Sequence, residues 1–271
     1  MKIAQRFLAL LGFFVLARTL PAQLPAQLPT SGAGAWVDLT HAFSKDTLYW
    51  PTADKFVLET VFAGRTEKGF FYTAKKFSAS EHGGTHLDAP IHFAEGRQHA
   101  DELSLDKLIG PAVCIDVSKA CLANRDHQIS VADIETWEKT HGAIPANTII
   151  LLHTGFGRHW PDAKKYLGTD VRGPAGVALL SFPGLAPATA RWLVEKRSPR
   201  AVGLDTASID FGKSEKFETH VILMGKNIPV FENVAALDRI PATGAQVVAL
   251  PMKIKGGSGG PLRIVAWVPG K

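Results

Sequence analysis

The sequence predicts a single α/β domain, in which helices flank a mixed β-sheet. Short apolar runs rich in β-branched residues alternate along the chain with amphipathic segments of helical period. No repeat and no linker divides residues 35–271. The chain has 271 residues, of which 46% are hydrophobic, enough to bury one large core or two small ones. These observations favour one globular domain after a distinct N-terminal segment.

The predicted strands are of two kinds. Some alternate apolar and polar residues, which is typical of a half-buried strand, and others are continuous apolar runs, which are typical of a strand buried on both faces. In chain order they occupy residues 35–43, 72–80, 110–118, 147–156, 201–205, 244–254 and 261–268.

Three amphipathic segments predict helices, at residues 103–110, 130–142 and 186–197. We expect Gly110 to end the first. In the second, Ser130 can cap the helix, with Asp133 three residues later, and Gly142 follows its end. With the strands, these helices indicate a mixed sheet covered by helices.

The first 34 residues differ from the rest. A basic start is followed by the eleven-residue apolar run FLALLGFFVLA, and then by small residues and prolines. This order predicts a secretory signal peptide and a short linker, with cleavage near Ala22 or Ala26. The run is shorter than the roughly 20 residues that span a bilayer, so a membrane anchor is less favoured. We expect a periplasmic or secreted protein without a stable membrane span.

Charge and cysteine content limit the partners. The formal net charge is +5, and removal of the leader takes away three basic residues and no acid, leaving +2. That charge gives no indication of nucleic-acid binding. An exported protein could join Cys114 to Cys121, but a straight strand would separate them, so the disulfide stays open. Without a third cysteine, the pair is a poor metal site.

Residues 82–92 read HGGTHLDAPIH. Gly83, Gly84 and the proline argue against a helix here. In an extended chain, residues two apart share a face, so His86 and Asp88 point the same way. A single histidine near a strand is usually only a partly buried polar residue, but four ligand-type side chains in eleven residues favour a metal or catalytic site.

The glycine pair could fold the chain so that His82 reaches the same point as His86 and Asp88. Imidazole and carboxylate ligands of this kind suit Zn²⁺ or Mn²⁺ with positions left open for water. His92 lies four residues beyond Asp88, past the proline. A histidine beside the metal can accept and return a proton, because its free pKa is near neutrality.

This stretch resembles the signature of the cyclase-type metal hydrolases, a family that includes bacterial kynurenine formamidase and isatin hydrolase. Its pattern is His, three residues, His, one residue, Asp, three residues, His, and all four polar positions are present. The motifs DLTH, HTGF, GLDTASID and GGSGGPLR extend the resemblance from Val37 to Val268. The family also takes a histidine and a glutamate twelve residues apart late in the chain, which His220 and Glu232 match.

The resemblance implies a role for each matching residue. The first metal ion would be held by His82, His86 and Asp88, and a second by Asp88 as a bridge together with His220 and Glu232. It further implies one or two Zn²⁺ or Mn²⁺ ions per subunit, His92 as general acid–base and Trp50 as a substrate contact. A swivelling β/β/α fold and a homodimer or tetramer are also implied.

The predicted function is therefore a metal-dependent hydrolase of a carbon–nitrogen (amide) bond in a small, aromatic substrate. An arylformamidase of the kynurenine formamidase type is favoured, with His92 as general acid–base. The alternatives are an isatin hydrolase-like cyclic amide hydrolase, a lyase or dehydratase on the same site, and an exported metal- or ligand-binding protein without turnover.

Five other polar residues have lesser expected roles. Asp205 and Asp210 either support the ligands or stabilise the fold, and His41 and His153 are expected to be structural. Ser258, in GGSGG, matches the nucleophile-elbow pattern, but neither Asp nor His follows it. A serine hydrolase is therefore disfavoured, and a glycine-rich turn between two strands is predicted instead.

Overall fold

A computed structural model describes residues 33–270 of the chain. The predicted signal peptide, with its cleavage near Ala22 or Ala26, lies outside the described residues and stays a prediction. Within the described part, no helix combines the length and the hydropathy that a membrane crossing requires.

The strands follow the chain in the order β1 (Gly34–Asp38), β2 (Val57–Arg65), β3 (Phe71–Ser78), β4 (His86–Asp88), β5 (Ile109–Asp116), β6 (Gln128–Ile129), β7 (Ile149–His153), β8 (Gly184–Leu185), β9 (Ala201–Leu204), β10 (Val230–Glu232), β11 (Ala245–Pro251) and β12 (Gly259–Pro269). The helices are α1 (Leu105–Leu108), α2 (Ser118–Ala123), α3 (Val131–His141), α4 (Ala163–Tyr166), α5 (Pro174–Val177), α6 (Pro187–Lys196) and α7 (Glu218–Met224).

Eight of the strands form one mixed sheet in the order β1-β12-β11-β5-β7-β9-β10-β4. Strands β5, β7, β9 and β10 run parallel to one another, and the remaining neighbours are antiparallel. Strand β4 also pairs with β12, which closes the sheet into a barrel-like core. The predicted class, an α/β domain with a mixed sheet flanked by helices, is confirmed.

The central strands are buried on both faces, as their continuous apolar runs predict. In β7, Ile150 and Leu152 pack into a core shared with the helices, which includes Leu193 of α6. Ile149 and Leu151 point the other way, into a second core that the strands around the ring form. The sheet is thereby fixed between two apolar layers.

The cap predicted for α3 is confirmed, whereas the end predicted for the helix at Gly110 is not. Ser130 caps α3, because its Oγ accepts from the Asp133 amide at 3.3 Å and its own amide donates to the Asp133 carboxylate at 2.7 Å. The expectation that Gly110 ends a helix is wrong. Helix α1 stops at Leu108, and Gly110 lies within β5, where a Cβ would stand 3.0 Å from the Arg200 guanidinium.

Strands β2 and β3 form a separate antiparallel ribbon, which we call the arm (residues 57–78). Its large apolar side chains are exposed, with Val61 at 63% and Phe71 at 67% of full exposure. The pairing register shifts between Thr60 and Phe62. The arm therefore adds little to either core.

Both cysteines are free thiols. Cys114 lies in β5 with its Sγ 3.7 Å from the Leu237 carbonyl, and Cys121 lies in α2. Burial raises the pKa of each thiol. The disulfide left open by the sequence is not formed in this structure.

Candidate active site

The site is built on β4, the short strand that closes the barrel. His86 and Asp88 share one face of it, while Leu87 points into the barrel core. Glu232 of β10 is the antiparallel partner of His86, so its side chain lies on the same face, with Oε2 3.5 Å from His86 Nε2. All three polar residues are at least 97% buried.

His82 reaches this face because the two glycines after it turn the chain. A Cβ on Gly83 would lie 2.0 Å from the Tyr49 ring, and Gly84 has a φ of +59°, so both positions require glycine. The turn places His82 Nδ1 2.6 Å from Asp88 Oδ1. Residues six apart in the chain thereby meet at one point.

His220 comes from α7, on the other side of the site, and Asp210 fixes its ring. The Asp210 carboxylate accepts the amides of Thr219 and His220, both at 3.1 Å, and the His220 Nδ1–H at 2.7 Å. His220 Nε2 therefore faces inward, 3.2 Å from Asp88 Oδ2 and 3.2 Å from Glu232 Oε1.

The other two imidazoles also donate one N–H away from the site. His86 Nδ1 lies 2.9 Å from the Gly84 carbonyl, which can only accept. Ser258 Oγ gives its hydrogen to the Glu81 carboxylate at 2.6 Å, so it accepts from His82 Nε2–H at 2.8 Å. The second nitrogen of each ring thus faces inward, toward the carboxylates.

Imidazole nitrogens and carboxylate oxygens face inward, and this set of ligand atoms fits a divalent cation. Three imidazole nitrogens and the oxygens of two buried carboxylates converge, a set of the type that binds Zn²⁺ or Mn²⁺ in exchange for the protons of the imidazoles. The ligand atoms of His86, Asp88 and Glu232 lie within 4.8 Å of one another, as do those of His82, Asp88 and His92.

The electrostatic field at the centre is negative. Burial opposes a charge on His86, yet the Asp88 carboxylate beside it raises the pKa of His86 to about 9. Burial, together with the charge of Asp88, raises the pKa of Glu232. Two carboxylates so close together favour any positive charge placed between them.

His92 follows β4 on a 3₁₀ turn, Pro90–His92. Its ring stacks on that of His82 with 3.8 Å between centroids. Burial, aided by the neighbouring histidines, lowers the pKa of His92 to about 4. At neutral pH the ring is uncharged and can accept a proton.

A cavity of about 380 Å³ opens over these polar groups. Its walls include Trp50, Phe93 and Phe217, with 6.1 Å between the ring centroids of Trp50 and Phe217. The Phe93 ring stacks on His220 at 4.4 Å. An apolar wall above a few convergent polar groups is the usual form of a small-molecule site.

Three candidate polar residues lie elsewhere. His41 stacks on Trp160 at 4.3 Å, and His153 faces Asp116 at 3.3 Å. Asp205 accepts the Thr154 amide at 2.7 Å and its hydroxyl at 2.6 Å. None of the three lines the cavity.

Two further residues make contacts that the sequence does not predict. The sequence leaves Asp210 open between supporting a ligand and stabilising the fold, and in the structure its carboxylate accepts a hydrogen bond from His220. Ser258 is predicted only as part of a turn, whereas its side chain contacts His82. The spacing of residues in the chain carries no signal for either contact.

Comparison with known proteins places this site in a family. The model of the Cyclase family matches residues 37–211, which is more than half of the chain and includes the cluster on β4. This protein is a member of the cyclase family. The match stops before His220, Glu232 and Ser258, so their place in the site is given by the fold.

Among the relatives in this family, isatin hydrolase of Roseibium aggregatum is 32% identical over 209 residues, covering 74% of this chain and 77% of that protein. Kynurenine formamidase of Salinibacter ruber is 29% identical over 238 residues, covering 85% and 96%. The structure of isatin hydrolase A from Ralstonia solanacearum superposes with a TM-score of 0.77 at 30% identity, covering 87% and 92%. The expected family is confirmed, and with it a hydrolytic enzyme of the amide-cleaving type.

Proposed function

We propose that this protein is a metal-dependent hydrolase that cleaves the carbon–nitrogen bond of a small aromatic amide. One observation carries the proposal. The inward nitrogens of three imidazoles converge on two buried carboxylates at the base of a cavity with aromatic walls. Such a set binds a cation, and the cavity admits a flat organic molecule beside it.

The residues that would hold one or two ions are those that the sequence singled out: His82, His86, Asp88, His220 and Glu232. When bound, a divalent cation polarises a carbonyl and lowers the pKa of a bound water. The protein's own contribution is to hold each imidazole by its outward N–H, so that the other ring nitrogen faces the ion.

His92 is the proposed general acid–base. Its ring is neutral at pH 7 and lies over the ligand cluster, stacked on His82. It accepts a proton from the attacking water and returns it to the leaving nitrogen, so that the amine departs uncharged. The stacked position keeps the ring in place for both transfers.

The aromatic wall favours a planar substrate. Trp50 meets the Phe182 ring edge-on and the Phe217 ring at a tilt of 59°, and both Trp50 and Phe217 line the cavity. An aryl formamide, as the sequence predicts, and a cyclic amide such as isatin both present a carbonyl beside an aromatic ring. The higher identity to an isatin hydrolase supports the cyclic amide as the second candidate.

The test is metal analysis of the purified protein with a screen of formanilides and isatins, followed by the His92→Ala variant. We expect turnover to fall about 10²- to 10⁴-fold while the bound metal stays at the wild-type level. His153→Ala, which removes an imidazole outside the cavity, is the control.

Two results would reject this assignment. Full activity of His92→Ala would show that another group moves the proton. Metal binding without turnover of any amide would favour the binding-protein alternative. Mass spectrometry of the product separates addition of water from its loss, and so tests the lyase alternative.

A homodimer or tetramer and an exported location belong to the same proposal. The exposed apolar surface of the arm supports self-association, because large exposed apolar patches usually mark contact sites. Sedimentation velocity tests the oligomeric state. N-terminal sequencing of protein from the native host tests whether the leader is removed, as export would require.

A further inference from the structure

The glycine-rich turn before β12 packs directly against His82. A Cβ at Gly259 would lie 2.6 Å from His82 Cε1 and 2.4 Å from the Leu87 carbonyl. A Cβ at Gly257 would lie 2.8 Å from Glu81 Oε1. The turn therefore comes close to the site because these positions carry no side chain.

Ser258 lies between the two glycines and joins the turn to the site. The Ser258 Oγ lies 2.8 Å from His82 Nε2 and 2.6 Å from the Glu81 carboxylate. The same carboxylate accepts the Ser258 amide at 3.0 Å. Its carbonyl accepts the amide of Ala89 at 2.8 Å. Main chain and side chain both hold the residue against β4.

This chain of hydrogen bonds fixes which nitrogen of His82 carries the proton. The Glu81 carboxylate accepts the only hydroxyl hydrogen of Ser258, so Oγ must accept from His82 Nε2–H. His82 Nδ1, 2.6 Å from Asp88 Oδ1, is then the nitrogen at which a bound cation would replace a proton. An outer acceptor of this kind sets the tautomer and orientation of a metal-binding histidine.

We propose that Ser258 and Glu81 are positioning residues, which hold His82 in the tautomer and orientation that bind a metal ion. The inference rests on the proposed function, because it concerns a ligand of the proposed metal site. The two residues are 177 positions apart in the chain and meet only through the fold.

The distances from Ser258 through His82 to Asp88 also resemble those of a serine–histidine–aspartate triad. The direction of the hydrogen bonds differs. In a triad the serine donates to the histidine, whereas here Ser258 donates to Glu81 and accepts from His82. A positioning role fits this direction, and a nucleophilic role does not.

The experiment compares Ser258→Ala, Ser258→Thr and Glu81→Ala with the wild-type protein. Zn²⁺ affinity is measured by chelator competition, the absorption spectrum is recorded with Co²⁺ in place of Zn²⁺, and thermal unfolding is followed in EDTA. Asp101→Asn is the matched control. Asp101 holds the same turn through the Gly256 amide at 2.9 Å but is not bonded to His82.

We expect Ser258→Ala and Glu81→Ala to weaken Zn²⁺ binding about 10- to 100-fold and to change the Co²⁺ spectrum. Ser258→Thr retains the hydroxyl and should restore most of the affinity. Asp101→Asn should bind Zn²⁺ like the wild type, and every variant should still unfold in one cooperative transition in EDTA.

The inference is overturned if Ser258→Ala binds Zn²⁺ as tightly as the wild type, or if Asp101→Asn is equally weakened, since the turn rather than the hydroxyl would then matter. It is also overturned if Ser258→Ala keeps its metal but loses all turnover, as a nucleophile would. In these cases a wild type that binds Zn²⁺ and hydrolyses amides leaves the proposed function intact. A wild type that binds no metal rejects both.

Discussion

Strand β4 and the arm are both antiparallel β structure, but β4 buries polar side chains whereas the arm exposes apolar ones. In β4 the buried residues include His86 and Asp88, and strands on both sides satisfy its backbone. In the arm, Val61 and Phe71 are more than 60% exposed, and within residues 33–270 its two strands pair only with each other. Both features are unusual, because globular proteins mostly bury large apolar side chains and expose charged ones.

The difference suggests two kinds of function. Buried polar side chains are retained where they are fully hydrogen-bonded, and the site on β4 meets that condition through Gly84, Asp210 and Ser258. A two-stranded ribbon is only marginally stable alone in water, so an exposed apolar arm favours a partner surface. Chemistry would then belong to β4 and association to the arm.

The largest expected effect comes from Asp88→Asn. The substitution keeps the shape of the side chain but removes the negative charge that three histidines face. We expect loss of bound metal, and a fall in kcat/KM beyond the ~100-fold typical for loss of an outer hydrogen-bond partner. Metal content after gel filtration and steady-state kinetics measure it.

The control is Asp116→Asn, which removes a carboxylate that pairs with a histidine outside the cavity. It should change neither the metal content nor kcat/KM. Wild-type metal content in Asp88→Asn would contradict the proposed centre.

A smaller effect is expected from Asp210→Asn, which acts through His220. Without its charge, residue 210 no longer holds the Nδ1–H of His220 against a carboxylate, and metal affinity should fall about 10- to 100-fold. Chelator competition measures the loss.

The control is Asp205→Asn, because the Asp205 carboxylate is as buried as that of Asp210 but accepts a hydrogen bond from the Thr154 amide instead of a site histidine. It should lower the free energy of unfolding without changing the metal affinity. Equal metal loss in both variants would mean that the centre responds to general destabilisation.

The smallest effect on the site is expected from the arm. The double variant Val61→Ser with Phe71→Ser should leave metal affinity unchanged, because neither residue lines the cavity. It should lower the mass in solution, measured by sedimentation velocity, if the arm binds a second copy. Lys68→Ala, also on the arm, is the control, and an unchanged mass of the double variant would assign association to another surface.

The sequence predicted the parts of the fold where local pattern and burial agree. The apolar runs that became β5, β7 and β9 are buried on both faces, and the cap at Ser130 is a contact between residues three apart. Strand β2 was missed. Its residues face solvent and its register shifts at Thr60, so no alternation toward a core marks it.

In the candidate site, too, the sequence predicts contacts between residues that are close in the chain and misses contacts between distant ones. His82, His86, Asp88 and His92 lie within eleven residues of the sequence, so their spacing predicts that they meet. Asp210 and Ser258 act through contacts that depend on how distant strands pair, and one sequence gives no measure of that. Resemblance to a family, rather than spacing, directed attention to His220 and Glu232.

The pairing of β12 with β4 has a consequence for biosynthesis. Gly259 and Pro261 lie opposite Asp88 and His86, and they leave the ribosome after all the other strands described here. A nascent chain can therefore hold every proposed metal ligand and still lack the strand that closes the barrel beside them. Translation of β12 sets the earliest moment at which the enzyme can become competent, and a prematurely terminated product would remain inert.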